Sequence, residues 1–226
     1  MSTYVLVHGA WHTGAELEPV AAVIREAGHV VHTPTIRGNR PGDRKDSGLA
    51  EAIQSIVDYL AEHDLKDVVL VGTSTGGMVM ARAAETARER VARVVFADAL
   101  ALIDGEAVPQ IVKRPTAVNT ELTTGPSQHD FETRLFADLD PAIRKWAIER
   151  CTPHPIAPLT APVKLERFWS QSWNASVIWC RKSTNPPVAH QRRACETLKG
   201  RWHELDTGHY PMLSEPEALA TLIVEG

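Results

Sequence analysis

The 226-residue sequence predicts an α/β protein, in which a mostly parallel sheet of about six strands is flanked by helices. Two observations lead to this prediction. Short β-branched runs alternate with amphipathic segments along most of the chain, which is typical of a parallel sheet covered by helices. Two of these runs, at residues 68–71 and 94–97, are apolar at every position, as strands covered on both faces must be.

The individual elements follow from β-branched runs for the strands and from apolar residues at helical spacing for the helices. A helix after the second strand is predicted to be capped by Asp46 or Ser47. The closing helix is predicted to start at a capping box of Ser214 and Glu217. The predicted strands are 4–7, 29–33, 68–71, 91–97, 176–180 and 202–205, with the third and fourth at the centre of the sheet.

The alternation stops between about residues 105 and 172, where eight of the 15 prolines lie. Asp140-Pro141 predicts the start of a helix there, but nothing predicts a central strand. A connection this long within a compact unit is usually a lid or a binding element. We therefore expect one domain over residues 1–226, with a short lid insertion at about 105–172.

Composition narrows the class of partner. The chain has 24 Lys+Arg and 28 Asp+Glu, a net charge of −4, and no dense basic block, which argues against binding to nucleic acid or to an anionic membrane. No apolar segment approaches the roughly 18 residues of a membrane span. An odd number of cysteines and no export signal at the N-terminus favour a cytoplasmic protein. We expect a small-molecule substrate and leave a homodimer open.

The sharpest motif is Gly72-x-Ser74-x-Gly76, which directly follows the apolar strand and directly precedes a helical segment. The pattern alone is weak evidence, but this context predicts a nucleophile elbow, a tight turn that exposes a serine hydroxyl at the carboxyl end of the sheet. A Cβ at either flanking glycine would collide across such a turn. Ser74 is therefore the predicted nucleophile.

A serine hydroxyl needs a neighbouring base at neutral pH, and histidine has the matching pKa. His209 follows the last strand and precedes the last helix, where the base falls when the serine comes first in the chain. The loop after the first strand contains Gly9, which allows a sharp turn. The backbone N–H groups of Ala10 and Thr75 are predicted to form an oxyanion hole around Ser74.

The other histidines carry weaker signals. His8 and His12 are four residues apart, but a loop does not bring that spacing to one face, and no third ligand is evident. His154 and His190 are expected to have no chemical role. We expect no bound metal.

The acid of the triad is the difficult assignment. An acid normally follows the penultimate strand, but the residues after Cys180 include no carboxylate. Asp98 ends the strand that follows the elbow helix, and it is the predicted acid because an unpaired charge beside a core is costly. A local cap or ion pair at Asp98 is the alternative. Asp104 is the reserve, whereas Asp206 is too close in sequence to His209 to orient it easily.

The substrate pocket is expected to be apolar, with tryptophans as its walls. Trp11, in the loop after the first strand, and Trp146 and Trp173, in or beside the lid, are the predicted wall residues. Core packing of each tryptophan is the open alternative.

Taken together, these motifs resemble the α/β-hydrolase superfamily, in particular its branch of plant methylesterases, hydroxynitrile lyases and similar bacterial esterases. The resemblance covers most of the chain, is carried by residues 5–12, 67–76 and 208–216, and weakens across the insertion. It implies Ser74 as nucleophile, His209 as base, and Ala10 and Thr75 as backbone donors. It also implies a lid and no cofactor.

The sequence departs from that branch at two places. Thr73 stands where the branch usually has histidine, and its common acid aligns near Ser183, which leaves Asp98 as the replacement. By this resemblance, lyases of the branch have a hydroxyl residue and a lysine at the two positions that hold Gly9 and Tyr210 here. Ester hydrolysis is therefore favoured over cyanohydrin cleavage.

The predicted function is a serine hydrolase that cleaves a small-molecule carboxylic ester through an acyl-enzyme intermediate. The alternative is a non-hydrolytic member of the fold, a lyase, a cyclase or a small-molecule binding protein, that uses the same pocket. The absence of an acid near Ser183, and Thr73 in place of the usual histidine, weakly favour that alternative.

Overall fold

The computed structural model describes residues 1–113 and 118–226 of the chain. Its longer helices are α1 (Glu18–Glu26), α2 (Leu49–Glu62), α3 (Gly76–Thr86), α6 (Pro141–Glu149), α8 (Val188–Leu198) and α10 (Pro216–Glu225), and its short ones are α4 (Val108–Ile111), α5 (Gln128–Asp130), α7 (Ala157–Thr160) and α9 (Pro211–Ser214). The strands are β1 (Thr3–Val7), β2 (Val30–His32), β3 (Val68–Ser74), β4 (Val91–Ala99), β5 (Val118–Asn119), β6 (Thr123–Gly125), β7 (His154–Pro155), β8 (Asn174–Cys180) and β9 (Arg201–Leu205).

Within these described residues the main sheet has six strands, in the order β2-β1-β3-β4-β8-β9, and all neighbours are parallel. Each of the six predicted strands is present, and β3 and β4 occupy the two central positions, as predicted. Both extend further than expected because Ser74 still pairs with Ala99 beyond the apolar runs. The carboxyl ends of the two central strands therefore lie side by side.

The core has two layers, one on each face of the sheet, because successive side chains of a strand point to opposite faces. In β1, Val5 contributes to one layer and Leu6 to the other. The first layer packs against α2 and α3, for example through fully buried Ile56, and the second against α1 and α10, for example through fully buried Ile24. This two-sided burial explains the uninterrupted apolar runs in the central strands.

The segment between β4 and β8 contributes no strand to the main sheet in its described part, as predicted. Asp140 caps α6, its carboxylate accepting a hydrogen bond from the backbone N–H of Ala142 at 2.8 Å, and Pro141 occupies the first turn. The sequence did not predict the small antiparallel sheet β5-β6-β7. Strands of two or three residues are too short for a readable alternation.

Two predicted helix caps are wrong. Gly48, rather than Asp46 or Ser47, is the cap of α2, and its backbone N–H donates to the Glu51 carboxylate. The hydroxyl of Ser214 donates to the carbonyl of Tyr210 at 3.2 Å and does not cap α10. In the described ranges, no helix combines the length and the apolar character that a bilayer crossing requires.

Candidate active site

Ser74 lies at a sharp turn between β3 and α3, the position predicted for the elbow. Its backbone φ is +49°, in the left-handed region that non-glycine residues adopt uncommonly and at an energetic cost. A Cβ at Gly72 would lie 2.7 Å from the Cα of Gly77, and one at Gly76 would overlap the carbonyl oxygen of Val7. The two flanking glycines are therefore required by close backbone approach, and the turn exposes the Ser74 side chain at the carboxyl end of the sheet.

His209 lies in the loop between β9 and α9, and its ring bridges Ser74 and Asp98. Its Nε2 is 3.0 Å from Ser74 Oγ, and its Nδ1 is 2.6 Å from Asp98 Oδ2. Since an ionised carboxylate only accepts hydrogen bonds, Nδ1 carries the ring proton. Nε2 is then the acceptor for the Ser74 hydroxyl. The structure thus brings together the three residues that the sequence singled out as nucleophile, base and acid.

Asp98 reaches the imidazole from a bulge near the end of β4. Thr73 pairs with Ala97 and Ser74 pairs with Ala99, so Asp98 is the extra residue between them. Its φ is +45°, and its side chain is fully buried. Because a bulge re-aims a side chain out of the regular pleat, the carboxylate turns toward the loop that carries the histidine.

The second carboxylate oxygen of Asp98 is held by Gln191, a residue that the sequence analysis missed. Gln191 Nε2 donates to Asp98 Oδ1 at 2.7 Å, and the backbone N–H of Cys180 donates to the same oxygen at 3.4 Å. These donors compensate the burial of the charge. One signal was available: Gln191 is a polar residue on the face of α8 that also buries Ala194 and Leu198.

The other candidate acids lie elsewhere. Asp104 accepts a hydrogen bond from the backbone N–H of Leu165 at 2.8 Å. Asp206 is exposed and pairs with Lys182, with 3.3 Å between Nζ and Oδ2. Ser183 Oγ, at the usual position of the acid, lies 3.4 Å from Nδ1 of the His209 ring. The usual position therefore still faces the histidine, but it holds a hydroxyl instead of a carboxylate.

The loop after β1 packs directly against the elbow. A Cβ at Gly9 would lie 2.7 Å from the Cβ of Ser74, so only glycine fits there. Ala10 follows in this loop and is buried, and Thr75 is buried immediately before α3. Ala10 thus directly follows the glycine that contacts Ser74, and Thr75 directly follows Ser74 at the start of the helix, so both predicted donors are chain neighbours of this contact.

A small cavity of about 20 Å³ opens at Ser74 and His209, enough for one or two water molecules. Of the three tryptophans predicted as pocket walls, Trp11 lines this cavity and Trp146 and Trp173 do not. Trp173 precedes β8 at its amino end, where its ring stacks on Phe168 at 5.1 Å in the core. Trp146 is a half-buried residue of α6 that packs against the second core layer, with the Arg150 guanidinium 4.5 Å from its ring. The other lining residues are Leu100, Val112, Arg134, Leu135, Ser183, Thr184, Asn185 and Pro186.

The remaining buried histidines have structural partners. His8 Nε2 accepts a hydrogen bond from the backbone N–H of Ile36 at 3.0 Å, and burial lowers the pKa of His8. His190 Nε2 accepts from the backbone N–H of Ala101 at 2.9 Å, and burial, with nearby Arg193, lowers the pKa of His190 to about 4. Across residues 1–113 and 118–226, no group of three or more His, Cys, Asp or Glu side chains is arranged to hold a metal ion.

The model of the α/β-hydrolase family matches residues 4–222. The chain belongs to the α/β-hydrolase family. A carbendazim hydrolyzing esterase from Nocardioides sp. is 30% identical over 181 residues, which cover 73% of this α/β-hydrolase and 74% of that protein. A pyrethroid hydrolase from Sphingobium wenxiniae is 27% identical over 104 residues, 45% of this chain and 37% of that one. These relatives agree with the prediction of a carboxylic ester hydrolase.

Solved structures confirm the fold of this α/β-hydrolase. An extracellular α/β-hydrolase from a Paenibacillus species, described as sharing homology with tobacco salicylic acid binding protein 2, superposes with a TM-score of 0.88 at 24% identity, covering 100% of this chain and 98% of that one. Tomato methylketone synthase I has a TM-score of 0.81 at 17% identity, covering 99% and 96%. These two likenesses show that the chain shares the fold of those enzymes over nearly its whole length.

Proposed function

We propose that the protein is a serine esterase that cleaves small-molecule carboxylic esters through an acyl-enzyme intermediate. The observation that carries the proposal is the continuous contact from Asp98 through His209 to Ser74, at 2.6 and 3.0 Å. These distances lie within the range required of a nucleophile, its base and the group that orients the base. The names of the two curated relatives, an esterase and a hydrolase, support the same reaction class.

Each residue has a distinct role in the proposed reaction. His209 Nε2 takes the hydroxyl proton as Ser74 Oγ attacks the ester carbonyl carbon, and then gives it to the departing alcohol oxygen. Asp98 keeps the proton on Nδ1 and stabilises the imidazolium that forms. Water, deprotonated by the same Nε2, then attacks the acyl carbon. The bond between that carbon and Ser74 Oγ breaks as Nε2 gives the proton to Oγ, which releases the acid and restores the Ser74 hydroxyl.

The negative charge that forms on the carbonyl oxygen is assigned to the N–H groups of Ala10 and Thr75. The contact between Gly9 and Ser74 supports this assignment, because it fixes the loop against the nucleophile. Thr75 precedes α3, so its N–H group lies at the positive end of the helix dipole. Removing one such donor typically costs about a hundredfold or more in turnover.

The proposal is tested with a fluorophosphonate probe and p-nitrophenyl esters of short acids. We expect stoichiometric labelling of the wild type at Ser74, steady-state release of nitrophenol, and neither in the Ser74→Ala variant. A well-folded wild type that is unlabelled and inactive on esters would instead support the non-hydrolytic alternative, and ligand binding in the same pocket would then be measured by calorimetry.

A further inference from the structure

A buried ion pair lies beside the loop that packs against Ser74, and neither of its residues transfers a proton in the proposed reaction. His12 Nδ1 is 2.9 Å from Glu16 Oε2, and each side chain is only 2% exposed. Removing two charges from water is costly, and a buried pair often contributes little net stability. Its position beside the loop after β1 suggests what it does instead.

His12 Nδ1 lies beside the Glu16 carboxylate, and Nε2 lies 3.1 Å from the carbonyl oxygen of Ala147 in α6 and 3.4 Å from Sγ of Cys151. Two oxygen acceptors beside one ring favour the doubly protonated imidazolium. The protonation state agrees with this geometry: burial lowers the pKa of His12, but Glu16 and Cys151 outweigh it and raise the value to about 10. At neutral pH the positive charge of His12 therefore balances the negative charge of Glu16.

The other oxygen of Glu16 connects the pair to the nucleophile. Glu16 Oε1 accepts a hydrogen bond from the backbone N–H of Gly9, with 3.4 Å between nitrogen and oxygen. Gly9 itself packs against Ser74 and precedes Ala10, the proposed oxyanion donor. The carboxylate therefore anchors the loop, but an unbalanced negative charge at this place would repel the oxyanion that forms beside it.

We propose that the His12–Glu16 pair is a positioning device for the oxyanion loop: Glu16 anchors Gly9, and His12 cancels the charge of Glu16 and ties the loop to α6. The inference rests on the proposed ester hydrolysis, since it concerns the anionic intermediate of that reaction. Repulsion between an unbalanced Glu16 carboxylate and the oxyanion, at an effective dielectric constant of about 20, corresponds to a rate that is roughly ten- to a hundredfold lower.

The test compares His12→Gln with the double variant His12→Gln/Glu16→Gln, which restores neutrality with side chains of similar size. We expect His12→Gln to lower kcat by roughly ten- to a hundredfold with KM nearly unchanged, since the ground-state ester is uncharged. The double variant should recover most of the lost kcat. Thermal melting and circular dichroism establish that each variant is folded at the assay temperature.

Inhibition by an arylboronic acid distinguishes this role from a purely structural one. The boronic acid adds to the serine oxygen as a tetrahedral anion, so its binding depends on how well the site holds negative charge. Its inhibition constant should rise in His12→Gln by about the factor lost in kcat and return in the double variant. A His12→Gln enzyme with wild-type kcat, or a double variant as slow as the single one, overturns the inference. A wild type that neither turns over esters nor labels at Ser74 overturns the proposed function and, with it, the inference.

Discussion

Moving the triad acid from Asp98 to position 183 is the most demanding perturbation of the proposed site. In Asp98→Ala, His209 loses the carboxylate that now lies 2.6 Å from Nδ1. Triads with a disabled acid lose on the order of ten-thousandfold in turnover, with substrate affinity largely kept. We expect a loss of that order in kcat and little change in KM.

Ser183→Asp, added to Asp98→Ala, should restore a large part of this loss. Ser183 Oγ lies 3.4 Å from the same Nδ1. An aspartate places its Cγ near that position and extends a carboxylate oxygen about 1.2 Å further, which brings it within hydrogen-bond reach of the ring. We expect kcat to rise by roughly a hundredfold over the single variant, because imidazolium stabilisation returns while the support from Gln191 does not.

The assay is kcat and KM on a p-nitrophenyl ester between pH 6 and 9, with Asp98→Ala/Ser183→Asn as the matched uncharged control. Equal turnover of the Asp and Asn double variants would refute the account of position 183. Near-wild-type turnover of Asp98→Ala would refute the assignment of the acid itself.

Three further perturbations probe the surroundings of the site. Gln191→Leu leaves the buried Oδ1 of Asp98 without its strongest donor, so we expect kcat to fall about tenfold and the melting temperature to drop, by steady-state kinetics and calorimetry. Gly9→Ala forces a Cβ to 2.7 Å from that of Ser74, so kcat should fall at least a hundredfold while circular dichroism stays unchanged. The folded-state pKa of His190 is about 4. The unfolded state therefore binds more protons between about pH 6.5 and 4. Acidification through this window should lower the free energy of unfolding by on the order of 3 kcal/mol. Urea unfolding at pH 7 and 4.5 should show a smaller difference for His190→Gln than for the wild type.

The positions of the strands along the chain, and the central place of β3 and β4, were predictable because apolar runs and their flanking turns are local signals. Ser74 and His209 were predictable for the same reason, since each has a readable place between a strand and a helix. Asp98 followed from its position at the end of a buried run, although the bulge that turns it toward the ring depends on pairing with β3.

What the sequence did not predict depends on contacts between distant elements. Gln191 matters only because α8 packs beside the end of β4. The sequence around Trp173 does not distinguish a pocket residue from a core residue. Only the packing of its ring on Phe168 shows that it belongs to the core. The ion pair of His12 and Glu16 is held by a carbonyl oxygen of α6, far along the chain, so the spacing of four residues alone could not reveal it.

Asp98 lies in the bulge of β4, so its position is set by the hydrogen-bond register between two central strands and not by a loop. The stretch from Ser183 to Pro186, which holds the acid in the plant branch, instead lines the cavity here without that duty. Ser183 contacts the His209 ring, and the carbonyl oxygen of Pro186 accepts a hydrogen bond from Gln191, so these two ends of the stretch are tied to the proton-transfer groups. For laboratory evolution of new selectivity, Thr184 and Asn185 between them are therefore the positions to randomise first.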